Sequence, residues 1–207
     1  MKKTLVKICG LTNFEDAALA ARLGADLLGF IMIPGAARNV APREFLSFRD
    51  KLPKSAKLVC VTRDRPMEEL LELAGCFDVL QLHGSESPAF AGEAALLSGR
   101  EVWKALPLCD EALLAAARTY PPEITLLAEG ERSGLKRKCD WKLATLLGRE
   151  RRIILAGGLG PENLVAAAAA VKPAGVDVSS GVAREDDPRK KDHVKLAAFM
   201  EAARSIK

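Results

Sequence analysis

The chain is short of aromatic residues, of histidine and of long apolar runs. Phe, Trp and Tyr make up 5% of its 207 residues, so the stacking platform that single-stranded nucleic acid needs is missing. A net charge of +4 is too mild for a nucleic-acid surface. The basic run of Arg132 and Lys136 to Lys138 is short and lacks an aromatic partner, so no nucleic-acid partner is expected. The two histidines, together with five widely spaced cysteines and no C-x-x-C pair, argue against a structural zinc site and a disulfide framework. No metal is expected. Cys60, Cys76 and Cys109 are expected as small buried hydrophobes in a reducing compartment. No apolar stretch reaches the roughly 18 residues of a membrane helix. The opening MKKTLVKICGL is broken by Lys7 and lacks a small-residue cleavage site. The expectation is a cytoplasmic protein with no membrane partner.

What is present is a repeating pattern. Short runs rich in Val, Ile and Leu recur: TLVKIC, ADLLGFIMI, KLVCVT, DVLQLH, EVWKAL, ITLLA, RRIILAGG and GVDVSS. Between them lie amphipathic or alanine-rich stretches such as NFEDAALAARLGA, PMEELLELAG and ENLVAAAAAVK. Asn13 reads as a helix N-cap, and Pro161-Glu162 as the first turn of another helix. Strands alternating with helices imply right-handed crossovers and a parallel sheet. About eight such units fit an α/β fold of the (β/α)8 barrel type, a single domain over residues 1–207 with short loops. An open doubly wound sheet would carry a G-x-G-x-x-G turn after its first strand more often than the CGLTNFED found here.

In such barrels the working residues stand at the C-terminal strand ends. Side chains alternate along a strand, so Lys7 and Cys9 share a face, opposite Val6 and Ile8. The apolar pair suits the outer helices, which turns Lys7 and Cys9 toward the barrel mouth. A cation beside a thiol favours the thiolate, a nucleophile or general base, although an inert buried cysteine remains the alternative. In DVLQLHG the alternation places Val79, Gln81 and His83 on one face, with His83 shaping the site. The second histidine, His193, is expected to cap or solvate the last helix. Arg38, in a glycine-containing loop, has the planar fork for a carboxylate; the alternative is a solvated arginine. Gly157 and Gly158 after the seventh strand, with Ser180 and Gly181 after the eighth, read as a phosphate cradle, the recurring anion site of this fold.

Taken together, KICGLT, GADLLGF, the arginine loop ending ARNV, QLHG, LAGGLGPEN and GVDVSSGV resemble the phosphoribosylanthranilate isomerases, barrel enzymes of tryptophan biosynthesis. These motifs run in the family's order over nearly the whole chain. The resemblance implies a small phosphorylated substrate and an Amadori rearrangement of N-(5-phosphoribosyl)anthranilate without metal or cofactor. It implies that Cys9 is the general base, that Arg38 pairs with the anthranilate carboxylate, and that Gly157, Gly158, Ser180 and Gly181 hold the phosphate. Lys7, His83 and Asp177 are expected to line the substrate site, and the chain to be a monomer or homodimer.

One stretch departs from the family. Its members end the sixth strand with Asp, the general acid, and follow it with a loop resembling GGSGK before a DW or PW pair. Here the chain reads LLAEGERSGLKRKCDW. Counting back from Asp140-Trp141 puts Glu129 on the acid position; aligning the apolar run puts Ala128 there and deletes the acid. Alternation favours Glu129, since Thr125 and Leu127 then face inward with it. Lys136 and its neighbours would replace by charge the phosphate contacts of the missing glycines. The alternative function is a degenerate barrel that binds a phosphorylated ligand with impaired or altered isomerisation.

Overall fold

A computed structural model describes residues 4–130 and 139–206. Eight strands close into a parallel barrel in sequence order. They are β1 (Leu5–Cys9), β2 (Leu27–Ile31), β3 (Lys57–Thr62), β4 (Val79–Leu82), β5 (Glu101–Pro107), β6 (Thr125–Glu129), β7 (Ile153–Leu155) and β8 (Gly175–Val178). The helices between and after them are α1 (Phe14–Arg22), α2 (Pro42–Arg49), α3 (Met67–Ala74), α4 (Pro88–Ser98), α5 (Glu111–Arg118), α6 (Trp141–Glu150), α7 (Leu164–Val171) and α8 (His193–Arg204). The (β/α)8 expectation therefore holds.

The alternation of the strands sorts the core into two layers. Cys9, Leu27, Val61, Trp103, Leu127 and Ile154 pack together inside the barrel. Ile8, Leu28, Leu80, Leu126, Ala128 and Val176 pack outward under the helices. Short polar caps start the helices: Asn13 accepts from the Asp16 N–H, Ser87 from Phe90, Asp110 from Leu113 and Asp192 from Val194 and Lys195. Each cap satisfies a backbone donor that the first helical turn leaves orphaned. Asp140 of the DW pair caps α6 in the same way, accepting from Lys142 and Leu143.

Three local expectations are corrected. Pro161-Glu162 forms a turn, and α7 begins only at Leu164. The Asn163 side chain accepts from the Gly160 N–H and donates to the Gly158 carbonyl, which holds the chain in a loop until that point. His193 neither caps nor merely solvates α8: Asp192 is the cap, and His193 Nε2 lies 2.8 Å from the buried Asp16 Oδ1. Cys60 is fully buried, but Cys76 and Cys109 are only half-buried. Among the described residues no helix is long and apolar enough to cross a membrane.

Candidate active site

The C-terminal strand ends gather the polar residues that the strand alternation turns inward. Lys7 is buried, and its Nζ donates to Asp177 Oδ1 across the β1–β8 seam at 3.0 Å. Burial opposes the Lys7 charge, yet Asp177 and Cys9 together hold its pKa above the ordinary lysine value. Cys9, one pleat further on, is 5% exposed. β2 makes room for this pair with Gly29: a Cβ there would stand 3.0 Å from Cys9 Sγ and 3.0 Å from Lys7 Cε.

Opposite them, Glu129 ends β6 with its side chain inside the barrel and Ala128 packed outward. Of the two registers, the strand thus directs the glutamate at the mouth. Glu129 Oε1 lies 2.6 Å from His83 Nε2, and Gln81 Nε2 is 3.4 Å from His83 Nδ1. The His83 N–H donates to the Thr62 carbonyl at 2.8 Å, which fixes the ring's backbone. Beneath that loop Lys104 Nζ donates to the Gly84 carbonyl and to Glu86 Oε2, and Glu86 in turn accepts from the Asp64 and Gly84 N–H groups.

Arg38 is half-buried and leans over the end of β1, where a Cβ on Gly10 would meet its Cδ at 2.7 Å. Its Nε donates to the Pro188 carbonyl, while Arg189 donates back to the Asn39 carbonyl. The loops after β2 and β8 thereby hold each other through these two arginines.

Gly157 and Gly158 follow β7 with φ of +81° and +72°, in the left-handed region that glycine alone enters readily. A Cβ on Gly157 would stand 2.7 Å from the Gly130 nitrogen, so this loop passes directly against the end of β6. After β8 a single 3-10 turn spans Ser180–Val182 and packs so closely on Leu159 and Gly160 that Gly181 admits no side chain. The first N–H groups of such a turn have no intrahelical acceptor, which suits them to an anion. The two loops read from sequence as a phosphate cradle are brought together here. Lys136 lies outside the described residues.

Sequence reading missed Lys191. It is buried, and its Nζ donates to the carbonyls of Cys9 at 2.6 Å and Ser179 at 3.0 Å. Burial, with Arg38 adding repulsion, pulls its pKa down to about 8 against the attraction of Cys9, Asp177 and Asp16. In the sequence it belongs to a run of surface-like charges, RKKDHVK, and no local signal sets it apart.

A sequence profile of the family described as N-(5'phosphoribosyl)anthranilate (PRA) isomerase matches residues 6–202. A relative from Pelobacter propionicus, named N-(5'-phosphoribosyl)anthranilate isomerase, is 38% identical over 98% of this chain and 96% of its own length. The phosphoribosyl anthranilate isomerase of Thermus thermophilus superposes with a TM-score of 0.85 at 39% identity, covering 99% of this chain and all of that one (100%). A second isomerase structure is a complex with reduced 1-(o-carboxyphenylamino)-1-deoxyribulose 5-phosphate. It superposes with a TM-score of 0.87 at 33% identity, over 97% of this chain and 98% of that one.

Proposed function

The chain belongs to the N-(5'-phosphoribosyl)anthranilate isomerase family, and we propose that it catalyses that isomerisation with Cys9 as base and Glu129 as acid. The observation that carries this reading is the placement of a buried thiol and a buried carboxyl inside one barrel mouth, between an arginine and a glycine-lined anion cradle. The bound molecule in the related complex has a carboxylate at one end and a phosphate at the other. Arg38 suits the first, by a bidentate pair, and Gly157, Gly158, Ser180 and Gly181 suit the second.

The reaction balances without an external oxidant or reductant. Glu129 gives its proton to the furanose ring oxygen as the C1–O bond breaks, leaving an iminium between C1 and the anthranilate nitrogen. Cys9 as thiolate removes the C2 proton, and the electron pair moves to give the enolamine. Cys9 returns a proton to C1 while the C2 hydroxyl gives its own to Glu129, and the ketone forms. C1 is reduced, C2 is oxidised, and both side chains regain their starting states. Cys9 in turn favours the charged forms of both Lys7 and Lys191. Lys7 and Asp177, joined across the seam, line the floor of the substrate site, and Lys136 would add charge on the phosphate side. Free cysteines, Cys60 and Cys139 among them, suit the reducing cytoplasm as its location.

The test is turnover of freshly generated phosphoribosylanthranilate by the purified protein. Robust turnover is expected, falling by about a hundredfold to ten-thousandfold in Cys9→Ala and in Glu129→Ala. Binding of the substrate without turnover would leave a barrel that holds the ligand and no longer isomerises it.

A further inference from the structure

Lys191 is a buried cation for which the isomerisation above requires no proton transfer. Among the described residues no carboxylate lies within ion-pair distance of its Nζ, which meets two backbone carbonyls instead. Burying an ammonium this way costs more than burying an apolar side chain of the same volume. Its position explains the arrangement. β1 and β8 pair from Leu5↔Gly175 to Ile8↔Val178, and there the ladder ends. Cys9 and Ser179 are the next rung, and the Lys191 ammonium bridges their two carbonyl oxygens. The Lys191 backbone is itself anchored, its N–H donating to Asp16 Oδ2 at 2.8 Å, and Asp16 is buried in α1.

We infer that Lys191 is a positioning residue for Cys9, fixing the Cys9 peptide against Ser179 where strand pairing has stopped and adding a second buried positive charge beside the thiol. The inference rests on the assignment of Cys9 as base. Besides Cys9 itself, the charged groups that act on Lys7 and Lys191 are Asp177 from β8, which faces both, and Arg38 from the loop after β2 and Asp16 from α1, which face Lys191. Removing Lys191 leaves one buried ammonium beside the sulfur instead of two, and leaves the Cys9 carbonyl free to turn.

The experiment compares Lys191→Met and Lys191→Arg with the wild type, after thermal unfolding has shown which variants are folded at the assay temperature. For Lys191→Met, kcat is expected to fall by about tenfold or more, with KM changing less. The acidic limb of its kcat–pH profile is expected to move to higher pH. Lys191→Arg keeps the charge and the donors and is expected to retain most of kcat and the wild-type limb. If Lys191→Met does not fold, Lys191→Ala with added ethylammonium takes its place, and kcat is expected to rise with ethylammonium but not with equal sodium chloride. An unmoved limb, an Arg variant as impaired as the Met variant, or no response to ethylammonium overturns the inference. Wild-type protein without turnover would instead sink the functional reading, and this inference with it.

Discussion

His83 Nε2 and Glu129 Oε1 lie 2.6 Å apart across the barrel mouth, joining the end of β6 to the loop after β4. A contact this short is a hydrogen bond, and it ties the longer glutamate side chain to the histidine. The family resemblance places an aspartate at this position, one methylene shorter. In this chain the carboxyl and its histidine are matched to each other.

Glu129→Asp should therefore be a poor substitute despite its chemistry. Shortening the side chain withdraws the carboxyl from His83 and from the sugar ring by more than 1 Å, a displacement that costs roughly a hundredfold in rate. The expected outcome is a fall in kcat with KM little changed. Full activity in Glu129→Asp would show that the contact with His83 does not position the acid.

Lys7 and Asp177 form a buried pair whose partners are of unequal use alone. Removing the cation in Lys7→Met leaves a carboxylate nine-tenths buried without its ion-pair partner, which costs about 3–5 kcal/mol of stability. The double variant Lys7→Met, Asp177→Asn removes both charges and should recover part of that loss. Chemical denaturation of the wild type, Lys7→Met and the double variant checks this, and equal losses in the single and double variants would refute it. The raised pKa of Lys7 means its stabilising contribution is complete at neutral pH and is lost only as pH rises through the folded-state value, above the ordinary lysine range.

Lys191 has the opposite linkage. Its folded-state pKa of about 8 lies below the ordinary 10.5, so between those values the unfolded chain binds the additional proton. Stability contributed by this residue must then increase as pH rises through that window. Wild-type protein is expected to gain thermal stability relative to Lys191→Met between pH 7 and pH 10. The comparison cancels Lys7, which both proteins share. A difference in melting temperature that stays flat with pH would contradict the depressed value.

Much of the site is readable from period-two alternation alone. Lys7 with Cys9, Gln81 with His83, and Thr125, Leu127 and Glu129 each follow from which residues of a strand are apolar and face the helices. That logic ends where the strand ends. Lys191 reaches Cys9 across 182 residues, and Asp16 reaches His193 across 177, contacts that no local pattern encodes. The Arg38 and Arg189 exchange is hidden for the same reason, because each arginine binds a backbone carbonyl of the other's loop. The turn at Pro161 is hidden too, because Asn163, rather than the proline, decides where α7 starts.

Gly29 is a quieter residue of the site, since it carries no chemistry of its own. It pairs with Cys9 in the β1–β2 register, and its bare Cα is what lets the Lys7 and Cys9 side chains lie over it. A Cβ at this position meets Cys9 Sγ at 3.0 Å, Lys7 Cε at 3.0 Å and Lys7 Nζ at 3.1 Å. These are side-chain atoms rather than backbone, so the barrel can accept Gly29→Ala by shifting them. Overpacking of this kind costs about 1–3 kcal/mol, and the strand backbone here needs no special φ. The loss should fall mainly on catalysis: a folded protein whose kcat is reduced about tenfold or more, because the base and its ammonium are displaced together. Unchanged kcat in Gly29→Ala would mean that the Lys7–Cys9 geometry is not what sets the rate.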